Sequence, residues 1–238
     1  MSPSAEGSQA LHFIFESANV NYSTPVDVIP QEQSGGGDCN GRCQCADSVV
    51  TEPRTEGCST PIILDSIGNG FTLTSAADGV DFDFNGDGST IRTAWTNATS
   101  DDAFLILDRN GNGVVDNGTE LFGNYTPQPS SRFPNGYNAL AEYDQIDRGG
   151  NEDGKISALD SIYFTLQLWR DLNHNGFSEP EELNILPEMG VSSISLDYKL
   201  SKHVDKHGNR FLYRANVSAY PGYSLGPWSW DVIFANDP

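Results

Sequence analysis

Short runs of Asp, Asn and Gly recur along the chain, and their oxygen-bearing side chains could bind a hard cation such as Ca²⁺. An EF-hand loop places oxygens at positions 1, 3, 5, 7, 9 and 12, with a glycine at position 6 where the backbone turns sharply. The segment 171–182 matches this pattern in full, with Gly176 at position 6. It predicts a calcium site formed by Asp171, Asn173, Asn175, the Phe177 carbonyl, Glu179 and Glu182.

A second loop begins in the same way at Asp108, but its closing carboxylate arrives one residue late. Position 12 is Thr119, and Glu120 follows it. A one-residue insertion around Asn117 and Gly118 would let Glu120 close the site. The ligands expected of this loop are Asp108, Asn110, Asn112, the Val114 carbonyl, Asp116 and Glu120.

A third loop lacks a carboxylate at position 12, which is Ala94, so Asp101 or Asp102 would have to close it. Its candidate ligands are Asp83, Asn85 and Asp87. A fourth loop has Gly149 at position 1, which supplies no side chain, so Asp147 would have to substitute. Its candidate ligands are Asn151, Asp153, Lys155 at the carbonyl position, Ser157 and Asp160.

A fifth segment, 65–70, resembles a degenerate copy of the same loop, because Ile67 occupies position 3 and cannot ligate. A single string of this kind is often an ordinary turn, since Asx side chains bond their own backbone. Several such strings in one acidic chain favour calcium-binding loops over ordinary turns. Three or four ions would offset part of the negative charge, which predicts a domain that folds or tightens when metal binds.

Composition limits the other partners of the chain. Its 33 acidic and 13 basic residues give a formal net charge of −20, which excludes nucleic acid as a likely ligand class. No apolar run of the ~18 residues needed for a membrane span occurs. The first residues show no signal peptide. We expect an extracellular location, which would then require a signal in a larger precursor or a non-standard export route.

Four cysteines occur near the N-terminus, at Cys39, Cys43, Cys45 and Cys58. Their spacing favours two disulfides in one of three pairings, with a four-thiolate zinc site as the alternative. Residues 1–58 read as an irregular arm containing this cluster, and residues 59–238 as a calcium-binding module.

Alternation and helical spacing of apolar residues predict the elements that position these loops. Strands are expected at 61–65, 70–74, 80–84, 103–107 and 228–234, and short helices at 138–146 and 158–169. Segments 191–198 and 211–217 predict a C-terminal β-hairpin. The expected fold class is α+β: a single loop-rich domain with short strands, a few short helices, EF-hand-like calcium loops and that hairpin, preceded by the Cys-containing arm.

The segments 82–88, 104–113 and 120–123, with Trp95 between the first two, resemble a known family. It is the calcium-binding module of large secreted bacterial proteins, including the self-processing module of iron-regulated RTX proteins. The resemblance implies secretion, calcium-dependent folding and, in some members, calcium-triggered cleavage of an Asp-Pro bond N-terminal to the module. Here Asp237-Pro238 is the one Asp-Pro pair in the sequence, and none precedes the module.

The sequence therefore predicts a non-enzymatic, calcium-stabilised module of an exported bacterial protein, structural or adhesive, with no catalytic residues. One alternative is a self-processing module that cleaves an Asp-Pro bond. Another is a calcium-dependent carbohydrate-binding domain that contacts a surface glycan through tryptophans, for which core packing is the competing role. These tryptophans are Trp95, Trp169, Trp228 and Trp230.

Overall fold

Strands make up most of the regular structure between residues 58 and 236, the part of the chain that the computed structural model describes. In chain order the strands are β1 Ile62–Asp65, β2 Val80–Phe82, β3 Ile91–Thr93, β4 Asp102–Ile106, β5 Lys155–Ser157, β6 Gln167–Trp169, β7 Leu183–Ile185, β8 Val191–Ser195, β9 Lys199–Val204, β10 Arg210–Ala219 and β11 Trp228–Ile233.

Helical structure in these residues is short. One α-helix, α1, spans Gly136–Ala141. Its N-cap is Asn135, whose side chain accepts a hydrogen bond from the Asn138 amide. Three single-turn 3₁₀ helices span Ile146–Arg148, Ser161–Phe164 and Pro180–Glu182. Within residues 58–236 no helix has the length and apolar character needed to cross a lipid bilayer.

The main sheet is antiparallel and curled, with strand order β5-β8-β10-β11-β1-β4-β6-β7, and β9 pairs additionally with β10. Strands β2 and β3 form a separate two-stranded sheet. Strand β1 lies between β11 and β4, so the first and last strands of the described segment are neighbours. Strand β7 lies at one edge of the main sheet.

Both faces of the central strands are buried, because successive side chains point to opposite sides and each side meets a core. Ile62 and Leu64 belong to one cluster, which includes α1, and Ile63 belongs to the other. The second cluster is rich in aromatic rings, with Trp95 and Phe104 centroids 4.4 Å apart. The continuous apolar sequence of β1 and β4 follows from this double burial.

The predicted α+β class is wrong, since the regular structure of the described residues is mostly antiparallel sheet with little helix. The helix expected at 158–169 is a single 3₁₀ turn followed by β6, because residues 167–169 pair with both β4 and β7. Pairing on both sides satisfies more backbone groups than a short helix would, and so overrides the helical spacing.

The helix expected at 138–146 also differs, because α1 ends at Ala141. The flanking helices of an EF-hand are absent from the 171–182 loop: β6 enters it, and a single 3₁₀ turn leads out into β7. The loop with EF-hand spacing therefore closes a β-hairpin.

The C-terminal hairpin differs from the one expected between 191–198 and 211–217. It forms between β9 and β10, whereas β8 pairs with the far end of β10, where Val217 faces Ile194. Segment 70–74 contains an isolated bridge from Leu73 to Thr96 instead of a strand. The irregular arm at 1–58 lies outside the described residues except for Cys58, which is buried in the first core cluster. The other three cysteines of the predicted disulfides, Cys39, Cys43 and Cys45, lie outside the described residues, so the disulfides stay a prediction.

Candidate metal centre

Five loops share one backbone turn. In each, the glycine at position 6 has a φ between 75° and 94°; these are Gly70, Gly88, Gly113, Gly154 and Gly176. Position 4 is also left-handed in all five, at Gly68, Gly86, Gly111, Glu152 and His174. Residues other than glycine rarely adopt a left-handed backbone conformation. The positive φ values of Glu152 and His174 therefore indicate that the hydrogen bonds of the loop impose the turn.

One carboxylate organises each of these turns. The amide of the position-6 glycine donates to an aspartate Oδ2 at 2.8–2.9 Å in every case. The accepting residues are Asp65, Asp83, Asp108, Asp144 and Asp171. A position-1 carboxylate held in this way is already oriented toward the centre of its loop, which lowers the conformational cost of binding a cation.

The 171–182 loop is anchored to the aromatic core by its two buried acids. The Trp95 indole donates to Asp171 Oδ2 at 2.8 Å, and the Trp169 indole donates to Glu182 Oε2 at 3.1 Å. His174 holds the loop from outside, with its two ring nitrogens 2.7 Å from the carbonyl oxygens of Thr96 and Asp78. Trp95 and Trp169 are therefore core residues, which confirms the packing role over sugar stacking for these two.

Glu182 closes this loop by accepting two backbone hydrogen bonds, from the Leu172 amide at 2.8 Å and the Glu179 amide at 3.3 Å. Glu179 Oε2 is buried without a hydrogen-bond partner. The hydrogen bond from Asn175 lowers the pKa of Glu179, whereas burial raises the pKa of Glu182. A cation between them would supply the partner that the orphaned oxygen lacks.

The 108–120 loop is closed in the same way in spite of its extra residue. Glu120 is buried, and its carboxylate accepts from the amides of Arg109 and Asp116, both at 2.9 Å. These amides occupy positions 2 and 9, as Leu172 and Glu179 do in the other loop. The structure thus places Glu120 where the predicted insertion requires it.

The fourth loop takes its first carboxylate from Asp144, which the motif spacing does not indicate. Asp144 accepts from the amides of Asp153 at 3.2 Å and Gly154 at 2.9 Å, whereas Asp147 lies in the 3₁₀ helix 146–148. Asp160 closes the loop with one oxygen on the Ser157 amide, and its Oδ1 is buried without a partner. Burial also raises the pKa of Asp160.

The third loop is the least complete. Asp83 accepts from the amides of Gly86 and Gly88, both at 2.8 Å, and the loop is solvent-exposed. Asp101 and Asp102, the acids expected to close it, lie instead beside Asp65. This placement follows from the pairing of β1 with β4, which the motif spacing does not encode.

Two comparisons with known proteins bear on this site. The sequence model of a family described as the SPM domain matches residues 62–226. The iron-regulated protein FrpA of Neisseria meningitidis serogroup C is 42% identical over 142 residues, which is 58% of this chain and 12% of FrpA. The chain thus spans a small part of that relative. The expected likeness to a module of iron-regulated proteins is confirmed at this level.

Proposed function

The chain belongs to the SPM domain family, and on that premise we propose that it is a calcium-binding, calcium-stabilised module of an exported bacterial protein. Its role in the parent protein is structural or adhesive, and it has no catalytic residues of its own. Calcium ions bound in the loops would offset part of the net charge of −20 and join neighbouring strands.

The observation that carries this proposal is the common position of Glu120 and Glu182. Two loops of different length place a closing carboxylate on the amides of positions 2 and 9. An ordinary Asx turn is stabilised by hydrogen bonds to the side chain of its first residue, and a second, buried carboxylate is not required to form it. Two carboxylates held around one loop repel each other unless a cation binds between them.

Calorimetric titration of the full chain with Ca²⁺, combined with thermal unfolding, tests the proposal. At a free calcium concentration about a thousandfold above Kd, one site stabilises the fold by about 4 kcal/mol. For a domain of this size that raises Tm by about 10 °C. No heat of binding and no change in Tm would contradict the proposal.

The double substitution Asp171→Asn with Glu182→Gln should remove one binding site and most of its share of the Tm increase. Glu181→Gln is the matched control, because Glu181 is an exposed acid at position 11 of the same loop. The control removes one negative charge and the double variant removes two. A loss in the control at least half as large as that in the double variant would therefore mean that the effect comes from charge alone.

Self-processing by Asp-Pro cleavage has no target within residues 58–236, where every proline follows a residue other than aspartate. The first of them, Pro61, follows Thr60. The one Asp-Pro pair of the chain, Asp237-Pro238, lies outside these residues. For a non-enzymatic module, the intact mass of the chain after the calcium titration is expected to be unchanged, and loss of Pro238 or of a larger fragment would contradict that role.

A further inference from the structure

Asp65, Asp101 and Asp102 bring three carboxylates together in the segment that the sequence presents as a degenerate loop. One oxygen from each side chain lies within 4.8 Å of the others. Asp65 and Asp102 face each other directly across the antiparallel pair β1–β4. Like charges in that position repel, and the repulsion is poorly screened because both side chains are at most 5% exposed.

No side chain of residues 58–236 neutralises this cluster. The four Lys and Arg ion pairs in that part of the chain involve other acids. Asp102 Oδ2 accepts from the Thr72 amide and the Ser100 hydroxyl, both at 2.7 Å, but its Oδ1 is buried without a partner. The buried anion thus lacks the compensation that such groups normally have.

Asp101 occupies the place of a position-9 ligand, although it comes from another segment. The Asn69 side-chain amide, at position 5, donates to Asp101 Oδ1 at 2.8 Å. The position-5 asparagine makes the same bond to the position-9 carboxylate in the two best-formed loops, also at 2.8 Å. Those pairs are Asn112 with Asp116 and Asn175 with Glu179.

We propose that Asp65, Asp101 and Asp102 form a divalent-cation site assembled from two segments of the chain, with Ca²⁺ as its ion. Asn69 at position 5 and the carbonyl of Phe71 at position 7 would supply neutral oxygens. An all-oxygen ligand set containing three carboxylates suits Ca²⁺ and disfavours metals that prefer nitrogen or sulfur. This inference takes its ion from the proposed function, but it uses none of the residues of the 108–120 and 171–182 loops.

Glycine amides provide a separate reporter for each loop. The Gly70 amide donates to Asp65, as the Gly113 and Gly176 amides do to Asp108 and Asp171. We expect the Gly70 amide resonance of the ¹⁵N-labelled full chain to move during titration with CaCl₂. If Gly113 and Gly176 move and Gly70 does not, this inference is wrong while the proposed function stands. If Gly70 alone moves, this inference stands and calcium binding by the 108–120 and 171–182 loops is wrong. If none moves, both the inference and the proposed function are wrong.

Substitution of the cluster should abolish the Gly70 response selectively. Asp101→Asn and Asp102→Asn each remove one charged ligand, so the Gly70 shift is expected to be lost or to need at least tenfold more Ca²⁺. The matched control is Asp197→Asn, which removes an exposed acid paired with Lys199 and should leave the titration unchanged. A Gly70 shift that persists at the same calcium concentration in both cluster variants would overturn the assignment.

Ile67 allows a test in the opposite direction. It occupies position 3, is 55% exposed, and can therefore be replaced without a loss of core packing. Ile67→Asp adds a fourth carboxylate and should lower the calcium midpoint of the Gly70 shift about tenfold, because affinity follows the charge of the ligand set. Ile67→Lys at the same position should raise the midpoint by a similar factor. Weaker binding by Ile67→Asp than by the wild-type chain would contradict a cation site.

Discussion

At the scale of single residues, the loops hold their carboxylates in place through backbone amides and indole groups. Asp171 and Glu182 receive hydrogen bonds from two core tryptophans, so a ligand cannot move without disturbing the aromatic cluster. These acids are buried, whereas position-5 side chains such as Asn112 and Asn175 are exposed. The buried carboxylates therefore set the geometry of each candidate site, and the exposed side chains line its outer edge.

Asp231 is a buried acid outside the loops, and it gives a pH-dependent prediction. Burial raises its pKa well above the usual value, and hydrogen bonds from the Gly136 amide and the Thr60 hydroxyl offset this effect in part. Between the unfolded and folded pKa values, the native state holds a proton that the unfolded state has lost. The stability of the wild-type chain therefore falls as pH rises through this range.

Replacement of Asp231 by Asn removes that loss. The free energy of unfolding of the variant should exceed that of the wild type by about 1–3 kcal/mol at pH 7 in EDTA, and the difference should disappear near pH 3.5. Urea denaturation at the two pH values measures it. Asp197→Asn, an exposed acid, should show no such pH dependence, and equal stability of the Asp231 variant and the wild type at pH 7 would refute the explanation.

At the scale of elements, three of the loops join antiparallel strands: β2 to β3, β4 to the bridge at Leu121, and β6 to β7. Motif spacing was enough to predict the turn at Gly176 and the position of the Glu120 carboxylate, while calcium binding by both loops stays a prediction. It could not provide Asp144 or the Asp65–Asp102 pair, because a short helical insertion brings in the first and strand register brings in the second. The predicted helices were wrong where strand pairing dominated.

The hairpin β6–β7 should depend on calcium more than the centre of the sheet does. Strand β7 lies at the sheet edge and pairs with β6 alone, through Gln167 with Ile185 and Trp169 with Leu183. Chelation of calcium should lower the hydrogen-exchange protection of β7 amides about 10- to 100-fold. The amides of β1, which is paired on both sides, serve as the internal control. Uniform loss of protection across both strands would instead indicate global unfolding.

At the scale of the whole molecule, a formal net charge of −20 opposes compaction of the metal-free chain. Antiparallel pairing and two buried cores supply the stabilisation that outweighs this repulsion. In the proposed calcium-bound state, the ions and dissolved salt should therefore reduce the same electrostatic repulsion. The ions would do so at defined loops, whereas the salt screens the entire surface.

This overlap predicts that salt stabilises the calcium-free chain more than the calcium-bound chain. Raising NaCl from 20 to 300 mM in EDTA should increase Tm by about 3 °C, equivalent to ~1 kcal/mol for a domain of this size. In saturating Ca²⁺ the increase should be smaller. Choline chloride at equal ionic strength is the control for specific binding of Na⁺, and an equal salt effect with and without calcium would contradict the prediction.

The pairing of β1 with β11 has a mechanical consequence. The chain enters the sheet at Ile62 and leaves it near Ile233, and because the two strands are antiparallel these points lie at the same end of the pair. Tension applied through both flanks would load the hydrogen bonds between these strands one after another, starting next to Pro61, whose carbonyl accepts from Val232. Such a geometry peels open at low force, whereas strands loaded at opposite ends must break all their bonds together. When a longer polypeptide is pulled, this module would therefore yield early.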